Sequence, residues 1–359
     1  MSRAGAVVEL IAGRPHDQTV ECRYPSEPLT IDLVQESRLH RGWGMKPRFS
    51  RALQKRMATH TDQQMIVHDH GMWLPTNRAV SEVTSAQKVI RIISPRGMLS
   101  SWAMGHGKLK KRMAWQIYQK RNLATATAFH ATGQQEAEDL RSLGFQQPIA
   151  VIPNGVVTPV AMPPRTLSPD HKNVLFLSRI HPVKGLLNLV QAWAHVKPSF
   201  EWKLVLAGPD ESDHRRDVES LAKQLEVFEQ IEFLGAVDDC EKWHRLRNAD
   251  LFVLPSFSEN FGIAIAESLL AELPVITTTA TPWQALAEND IGWCVDPTAD
   301  AIAIALREAV SQTEECRMDM GRRGGAWARD RFAWPSIASQ MISFYRYLQG
   351  KENRPGFVI

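Results

Sequence analysis

The sequence contains little cysteine and no paired cysteine motif. Its 359 residues include four cysteines, none in a CxxC pair or at metal-ligand spacing: Cys22, Cys240, Cys294 and Cys316. Disulfide frameworks and zinc sites depend on such spacings. We therefore expect no metal site and free, mostly buried thiols, as is usual in a reducing compartment.

Long apolar runs are also lacking. The sequence has no run of about 18 apolar residues, the length that a membrane-spanning helix needs. Segment 1–10 is too short and too weakly apolar for a secretory signal. These features predict a cytoplasmic globular protein. A chain of 359 residues is long enough for two domains with separate cores.

Positive charge is concentrated in the first half of the chain. The net charge is only +3, but segments 37–60 and 96–121 each contain seven Lys or Arg residues and no Asp or Glu. Such segments could attract nucleic acid, anionic lipid or a phosphorylated substrate, or could simply face solvent. Nucleic acid is the least favoured partner, because no aromatic-interleaved binding motif accompanies the charge.

Short apolar runs alternate with longer amphipathic segments, a pattern typical of βαβ units and parallel sheets. In the first half we predict strands at 19–23, 65–68, 89–94, 125–131 and 149–152, and helices at 3–12, 50–59, 76–86, 108–122 and 134–143. In the second half we predict strands at 174–178, 203–207, 231–234, 251–254, 275–278 and 293–295, and helices at 186–195, 215–228, 241–247, 261–272, 299–311, 316–330 and 335–348. The proline-rich stretch between the halves, from Pro153 to Pro169, predicts an interdomain linker.

The first candidate site follows the first predicted strand of the second half. Loop 178–185, Ser-Arg-Ile-His-Pro-Val-Lys-Gly, places Arg179 and Lys184 where the strand gives way to a helix. An Arg offers a two-pronged fork to phosphate oxygens and a Lys a compact charge, so the two could converge on one anion. A pair of unrelated surface cations is the alternative.

The second candidate site is segment 256–267, which follows a strand ending at Leu254. The free amides at a helix start near Phe261 form an anion or hydroxyl site, and Gly262 lets a ligand approach the backbone closely. Glu267 lies on an otherwise apolar helix, where a carboxylate is costly without a partner. That partner could be a pair of sugar hydroxyls or a structural salt bridge.

A third segment, 279–283, with the sequence Thr-Ala-Thr-Pro-Trp, lies just past another predicted strand. Ligands of doubly wound sheets bind beyond the carboxyl ends of the strands, so this segment could line the same site. A plain structural loop is the alternative.

In this order, the motifs resemble those of the retaining GT-B glycosyltransferases of the group 1 family. The resemblance rests on Arg-x4-Lys at Arg179 and Lys184, and on Glu-x7-Glu at Glu259 and Glu267 with Asn-Phe-Gly inside it. It extends over roughly residues 60–345 and includes further segments: 233–235, 249–256 and 273–276. Segments 68–73, 94–99, 130–132 and 152–156 are similar to those of bacterial members that build surface polysaccharide.

The resemblance implies a fold of class α/β: GT-B, with two facing, Rossmann-like, doubly wound domains and a cleft between them. Residues 1–160 would form an N-terminal acceptor-side domain, and residues 161–334 a C-terminal domain that binds the nucleotide-sugar donor. The helix at 335–349 would pack back on the N-terminal domain.

The resemblance also implies roles for single residues. Arg179 and Lys184 would neutralise the donor diphosphate and stabilise it as the leaving group, which is charge stabilisation without a protein nucleophile. Glu267 would hold the ribose hydroxyls. Glu259 would contact the donor sugar and phosphate. The remaining donor-side residues would be Asn260, Phe261, Gly262 and Ile263 near the sugar and phosphate, with Leu234 and Gly235 near the base.

The acceptor-side candidates are His70, Arg96 and His130. Many relatives carry His at the position of Arg96, so this chain departs from the family there. His70 and His130 could instead be core or rim histidines. A second departure is expected at the start, where the family's first strand and glycine-rich turn should precede the helix at 3–12. Either that element is truncated, or the start was assigned late, or the sheet lacks its first strand. In the family the turn faces the acceptor and the donor phosphate, so its absence would put activity in doubt.

The implied function is metal-independent transfer of a hexose from a UDP- or GDP-type sugar to a polysaccharide or lipid-linked acceptor, as in lipopolysaccharide or exopolysaccharide biosynthesis. No Asp-x-Asp motif occurs, so a metal bridging the diphosphate is not indicated, and no cofactor beyond the co-substrate is expected. The basic segments suggest peripheral contact with the anionic inner face of the plasma membrane. A catalytically degenerate nucleotide-sugar-binding paralogue is the alternative. The motif pair disfavours a nucleotide-sugar epimerase.

Overall fold

The fold is that of a computed structural model, which describes residues 7–13, 30–34, 47–59, 65–105, 108–166, 171–199 and 201–359. The chain separates into two units. Met1–Pro153 and Pro335–Ile359 form the first unit, and Asn154–Trp334 forms the second. The end of the chain therefore belongs with its beginning.

The first unit contains six described strands: β1 (Glu9–Gly13), β2 (Thr30–Val34), β3 (Ile66–His70), β4 (Ile90–Ser94), β5 (Ala128–Ala131) and β6 (Ile149–Val151). Strands β1 and β2 pair with each other, and the other four form a sheet in the order β3-β4-β5-β6. All these pairings are parallel. The described helices before the second unit are α1 (Pro47–Ala58), α2 (Pro75–Gln87), α3 (Ser101–Gly105), α4 (Lys108–Ala114), α5 (Lys120–Ala124) and α6 (Gln134–Ser142).

The four-stranded sheet is buried on both faces. Ile93 of β4 packs with Phe129 on one face, and Ile92 packs with Phe344 from near the end of the chain on the other. Residues that are adjacent along a strand point to opposite faces, so a strand covered on both sides is apolar throughout. In β4 the three isoleucines supply that apolar character, and its two polar residues, Arg91 and Ser94, are buried with the hydrogen-bond partners Asn122 and His130.

The helix predicted at 3–12 is wrong where the structure describes it. Glu9–Gly13 is strand β1, paired in parallel with Thr30–Val34. Val7, Val8 and Ile11 are β-branched, and such side chains favour a strand over a helix. A strand therefore lies near the start of the chain, paired with β2 in a two-stranded sheet. That the family's own first strand and glycine-rich turn are missing stays a prediction.

Two other predictions in the first half also change. The strand predicted at 125–131 is shorter in the structure, where β5 begins at Ala128, because Thr125 still caps the end of α5. The single helix predicted at 108–122 is divided by a π-helical turn at Trp115–Gln119. The strand predicted at 19–23 lies outside the described residues, and β2 was not predicted.

The second unit contains one parallel six-stranded sheet: β7 (Lys172–Leu177), β8 (Trp202–Ala207), β9 (Ile231–Gly235), β10 (Leu251–Leu254), β11 (Val275–Thr278) and β12 (Gly292–Val295). Its helices are α7 (Leu186–Val196), α8 (His214–Gln224), α9 (Asp239–Asn248), α10 (Ile263–Leu270), α11 (Ala285–Glu288), α12 (Ala299–Ser311) and α13 (Glu314–Arg331). Short 3₁₀ turns lie at Pro182–Lys184 and Phe228–Gln230. Helix α14 (Trp334–Leu348) then leads back to the first unit.

The strand and helix predictions in the second half are confirmed in order and type. The strands agree to within two residues at each end, because each is a short apolar run bounded by polar or glycine residues. The helix predicted at 215–228 is too long. It ends at Gln224, and a separate 3₁₀ turn follows.

The expectation of mostly buried thiols is wrong for the cysteines in the described part of the chain. Cys240 and Cys316 are exposed, and Cys294 is partly buried. Cys240 lies in the first turn of α9, a polar helix whose buried residues are Trp243 and Leu246. The number and spacing of cysteines do not show whether each cysteine lies on the buried or the exposed side of its helix.

Candidate active site

The strand order of the second sheet reverses at β7. Strands β8 and β9 lie on one side of β7, and β10, β11 and β12 lie on the other. Loops that leave the carboxyl ends of β7 and β10 therefore run in opposite directions and leave a crevice between them, the usual ligand position in such sheets. Segments 178–185 and 256–267 both begin there.

Lys184 and Glu259 meet at this crevice. Lys184 Nζ lies 2.5 Å from Glu259 Oε1, and Ser256 Oγ donates to the same oxygen at 2.8 Å. The two charged side chains are only 9% and 11% exposed. Because an ammonium has three donor hydrogens, Lys184 can also bond an anion without releasing Glu259. The pair thus offers a fixed positive charge beside a hydrogen-bond acceptor.

Close backbone packing holds this pair together. Phe257 N donates to Val183 O at 2.8 Å, which ties the two loops to each other. Gly185 has φ +70, and a Cβ there would lie 2.1 Å from Pro255 O. Only glycine fits this position, since both the left-handed conformation and the contact exclude a side chain. The loop that carries Lys184 is therefore pressed against the loop that leads to Glu259.

The third segment supports the start of α10. Trp283 is buried, and its Nε1 donates to Phe261 O. Gly262, with φ +75, stands at the helix start, and a Cβ there would lie 3.4 Å from Trp283 Nε1. The ring of Trp283 therefore packs behind the backbone of Phe261 and Gly262. Segment 279–283 was expected either to line the ligand site or to be a structural loop. For Trp283 the structure supports the structural role.

Glu267 forms a salt bridge, one of the two partners that the sequence allowed, with a cation that the sequence did not single out. Lys242 of α9 places Nζ 2.7 Å from Glu267 Oε1, and the side chains are 20% and 9% exposed. Burial raises the pKa of Glu267, and the hydrogen bond and charge of Lys242 oppose that increase. Nothing in the spacing of α9 marks Lys242, because the contact joins two helices that are distant in sequence.

Arg179 does not join Lys184 in one ion pair. Its Nη1 donates to Glu211, and the two side chains are 55% and 45% exposed. An exposed pair of this kind contributes at most about 1 kcal/mol, so it holds the guanidinium only weakly. Convergence of Arg179 and Lys184 on one anion stays a prediction.

The end of β9 has open space beside it. Gly235 has φ +74, and a Cβ there would meet nothing within 4 Å. Its carbonyl accepts from Gly208 N at 2.7 Å, which fixes the backbone after Leu234. A fixed backbone with room beside it suits a flat group such as a nucleotide base.

Histidines of the first unit form a buried hydrogen-bonded chain. Ser94 Oγ lies 2.6 Å from His68 Nε2 and 2.8 Å from His130 Nδ1. His130 Nε2 reaches Ile152 O at 2.9 Å, and His68 Nδ1 reaches Tyr345 Oη at 2.7 Å. The Ile152 carbonyl can only accept, so neutral His130 donates to it through Nε2 and accepts from Ser94 through Nδ1. Ser94 in turn accepts from His68, and His68 accepts from the Tyr345 hydroxyl. Burial lowers the pKa of His130 to about 4, which keeps that ring neutral.

His70 and Arg96 are the accessible members of the acceptor-side set. The His70 ring stacks on His68 with 4.4 Å between centroids, and Arg96 Nη2 donates to His70 Nδ1 at 3.1 Å. Arg96 has φ +58, which costs a non-glycine residue about 1–2 kcal/mol. The structure thus brings His70 and Arg96 together at the sheet edge and leaves His130 buried beneath them.

Neither a metal cluster nor a membrane span occurs in the part of the chain that the structure describes. No three His, Cys, Asp or Glu residues there are grouped so that they could hold a metal ion. No described helix is both long and apolar enough to cross a membrane.

Two protein-family models match the chain. The Glycosyl transferase 4-like domain matches residues 1–155, and Glycosyl transferases group 1 matches residues 161–327. The first match falls on the first unit and the second on the second unit.

Similar curated proteins include two that act on inositol compounds according to their names. Phosphatidyl-myo-inositol mannosyltransferase of Mycobacterium leprae is 29% identical over 73% of this chain and 65% of the relative. D-inositol 3-phosphate glycosyltransferase of Corynebacterium glutamicum is 31% identical over 52% of this chain and 46% of the relative. The chain thus spans less than two thirds of the length of these relatives.

Several solved structures are similar to this chain over most of its length and most of their own. Sucrose-phosphate synthase of Thermosynechococcus elongatus has a TM-score of 0.77 at 20% identity and covers 98% of this chain and 91% of its own. WaaG, a glycosyltransferase involved in lipopolysaccharide biosynthesis, has a TM-score of 0.67 at 17% identity, with 95% and 92% covered. HepE of Anabaena in complex with UDP-glucose has a TM-score of 0.70 at 17% identity, with 89% and 86% covered.

These similarities agree with the motifs from which the family was predicted. The solved structures are GT-B glycosyltransferases, and likeness at such low identity establishes the fold. The two family models leave only short segments of the chain unmatched. The predicted resemblance is confirmed: the chain has the GT-B fold, and two glycosyltransferase family models match it, Glycosyl transferases group 1 over residues 161–327 and the Glycosyl transferase 4-like domain over residues 1–155.

Proposed function

We propose that this chain is a retaining, metal-independent hexosyltransferase that takes its sugar from a nucleoside diphosphate donor. The observation that carries the proposal is the buried Lys184–Glu259 pair at the β7/β10 crevice. Negative charge grows on the diphosphate oxygens as the sugar leaves. A fixed ammonium beside those oxygens stabilises the transition state more than the ground state. Arg179, on the same loop, would supply the second cation.

The donor would lie along the carboxyl edge of the second sheet. Its base would occupy the space beside Leu234 and Gly235, and its ribose hydroxyls would bond Glu267. The sugar and phosphate would meet Glu259 and the backbone from Asn260 to Ile263. A UDP-type donor is supported by HepE, whose solved structure is a complex with UDP-glucose.

The acceptor would be a saccharide that carries phosphate or is linked to a lipid through phosphate. The accessible pair of His70 and Arg96 supports this, because a guanidinium and an imidazole can bond phosphate oxygens and hydroxyls. The two curated relatives named above support it too, since their names describe transfer to inositol phosphate compounds. Biosynthesis of a surface polysaccharide is the setting we infer.

Transfer with retention separates an active enzyme from a nucleotide-sugar-binding paralogue. We expect the protein to release nucleoside diphosphate from UDP- or GDP-hexose. The anomeric proton of the first product, followed by NMR, should show the configuration of the donor. Inversion would exclude the retaining mechanism. Binding of the donor without turnover would identify the paralogue.

Glu267→Ala is expected to weaken donor binding. Loss of a charged acceptor for ribose hydroxyls should cost about 1.5–3 kcal/mol of binding free energy. Isothermal titration with UDP-glucose or GDP-mannose measures the change. Glu241→Ala serves as control, because Glu241 is a partly exposed residue of α9 whose carboxylate pairs with Arg245 of the same helix. Unchanged affinity in a folded Glu267→Ala protein would remove this carboxylate from the site.

Activity is expected to survive excess EDTA. The sequence has no Asp-x-Asp motif, and Lys184 and Arg179 would neutralise the diphosphate instead. Initial rates are compared before and after dialysis against EDTA, with and without added magnesium or manganese. Abolition by EDTA that either metal reverses would contradict metal independence.

Peripheral docking on the anionic inner face of the plasma membrane is proposed for segment 111–121. Its exposed cations lie beside two exposed apolar residues, Met113 and Ile117, which are 57% and 70% exposed. Each Lys or Arg close to such a surface contributes about 1 kcal/mol, and salt weakens that attraction. The exposed cations are Arg112, Lys120 and Arg121.

Co-sedimentation with phosphatidylglycerol vesicles tests the docking. We expect binding that falls with salt and is lost when Arg112, Lys120 and Arg121 are changed to Glu. The control changes three exposed cations of the second unit to Glu: Arg216, Lys223 and Arg307. Absence of binding at low salt, or equal loss in the control, would end this part of the proposal.

A further inference from the structure

Glu267 and Lys242 form a contact between two helices that the group 1 motifs do not contain. Glu267 lies on α10 and Lys242 on α9, and Nζ is 2.7 Å from Oε1. Lys242 also reaches Asp239 of its own helix at 3.2 Å, but the Asp239 side chain is 81% exposed. Water screens that second contact, so Glu267 is the stronger partner of the ammonium.

We propose that Lys242 is a positioning residue for the nucleotide site, which holds the Glu267 carboxylate charged and aimed at the ribose. This inference rests on the proposed function of Glu267. The ion pair uses one carboxylate oxygen, Oε1, which leaves Oε2 to accept a ribose hydroxyl. Lys242 itself need not touch the nucleotide.

The surroundings of Glu267 explain why a cation is needed. The side chain is 9% exposed, on a helix whose neighbouring residues Ile265, Ala266, Leu269 and Leu270 are buried and apolar. Such surroundings disfavour a bare carboxylate and favour its protonated form. A protonated Glu267 would lose much of its strength as an acceptor for ribose hydroxyls.

The charged groups that act on Glu267 both come from α9. Lys242 favours the carboxylate, and Asp239 opposes it. Helix α13 packs against α10 through glycines, and a Cβ on Gly324 would lie 2.8 Å from Leu269. Strands β10 and β11 present buried residues. Lys242 is therefore the cation that opposes the increase in the pKa of Glu267.

The test is the pH dependence of nucleotide affinity in Lys242→Met. UDP and GDP serve as probes, and dissociation constants are measured between pH 6 and pH 8 for the variant and the natural protein. Without Lys242, the pKa of Glu267 rises, and affinity should fall by up to about tenfold per pH unit below the new pKa. The ratio of the two dissociation constants cancels the ionisation of the probe itself.

Control variants separate positioning from packing. Lys242→Gln keeps a hydrogen-bond donor without the charge, so it should fold even if Lys242→Met does not, and it should show the same pH trend. Lys242→Arg should restore most of the affinity at pH 6. Arg245→Met removes a partly exposed cation, paired with Glu241, from the same helix and should match the natural protein at every pH.

The outcomes distinguish the inference from the proposed function. If the dissociation constant of Lys242→Met divided by that of the natural protein increases as pH falls, the role of Lys242 is supported. If this ratio stays constant with pH, or equals one, the role of Lys242 is overturned while nucleotide binding stands. Failure of the natural protein to bind either UDP or GDP would overturn the proposed donor site and the role of Lys242 with it.

Discussion

Lys184→Ala is expected to lower kcat for sugar transfer by about 100- to 1,000-fold, the usual cost of removing one group that stabilises developing charge. The ammonium lies 2.5 Å from Glu259, and the two side chains are only 9% and 11% exposed. A charge there acts on the departing diphosphate with little screening. Because that charge develops as the sugar leaves, kcat should fall more than the affinity for the donor.

Kinetics with a nucleotide-sugar donor and a thermal unfolding scan check this prediction together. The variant leaves Glu259 buried without its cation, so some loss of stability accompanies the loss of rate. Lys223→Ala, an exposed lysine on α8, controls for a general effect of charge removal. An unchanged kcat with a raised KM would mean that Lys184 only binds the donor.

Gly185→Ala is expected to destabilise the second unit and to separate Lys184 from Glu259. Its Cβ would lie 2.1 Å from Pro255 O, far inside contact distance, at a φ of +70. The left-handed conformation costs alanine about 1–2 kcal/mol, and the overlap adds about 1–3 kcal/mol. Urea unfolding measures the stability, and donor turnover reports the geometry of the pair.

Gly350→Ala is the matched control for this change. Gly350 has φ +71, almost the same value, but a Cβ there meets nothing within 4 Å. It should therefore show the conformational cost alone and retain turnover. Equal losses of stability in the two variants would show that the contact with Pro255 adds nothing.

Sequence patterns predicted the second unit well because its structure is local and regular. Each strand is a short apolar run, and each motif follows a strand end, as at Lys184 and Glu259. The first unit was harder. The sequence predicts a helix where the structure has β1, because a strand of five residues is too short to show a clear two-residue alternation of apolar and polar side chains.

The contacts that complete the sites could not be predicted from the sequence. Lys242 meets Glu267 across two helices, and Tyr345 reaches His68 from the far end of the chain. Such pairs depend on how helices and strands pack against one another, and the spacing of residues along the chain does not predict that packing. Motif spacing also suggested that Arg179 stands with Lys184, whereas Arg179 pairs with the exposed Glu211.

Binding of a nucleotide sugar to the second unit is the central claim, and a thermal-shift titration tests it most directly. UDP-, GDP- and ADP-sugars are titrated against the natural protein and against Glu267→Ala. A ligand that binds only the folded state raises the unfolding temperature with its concentration. We predict such a rise with a UDP- or GDP-sugar, and a much smaller rise for Glu267→Ala. No rise with any of the three nucleotides, or an equal rise in the variant, would contradict the proposed site.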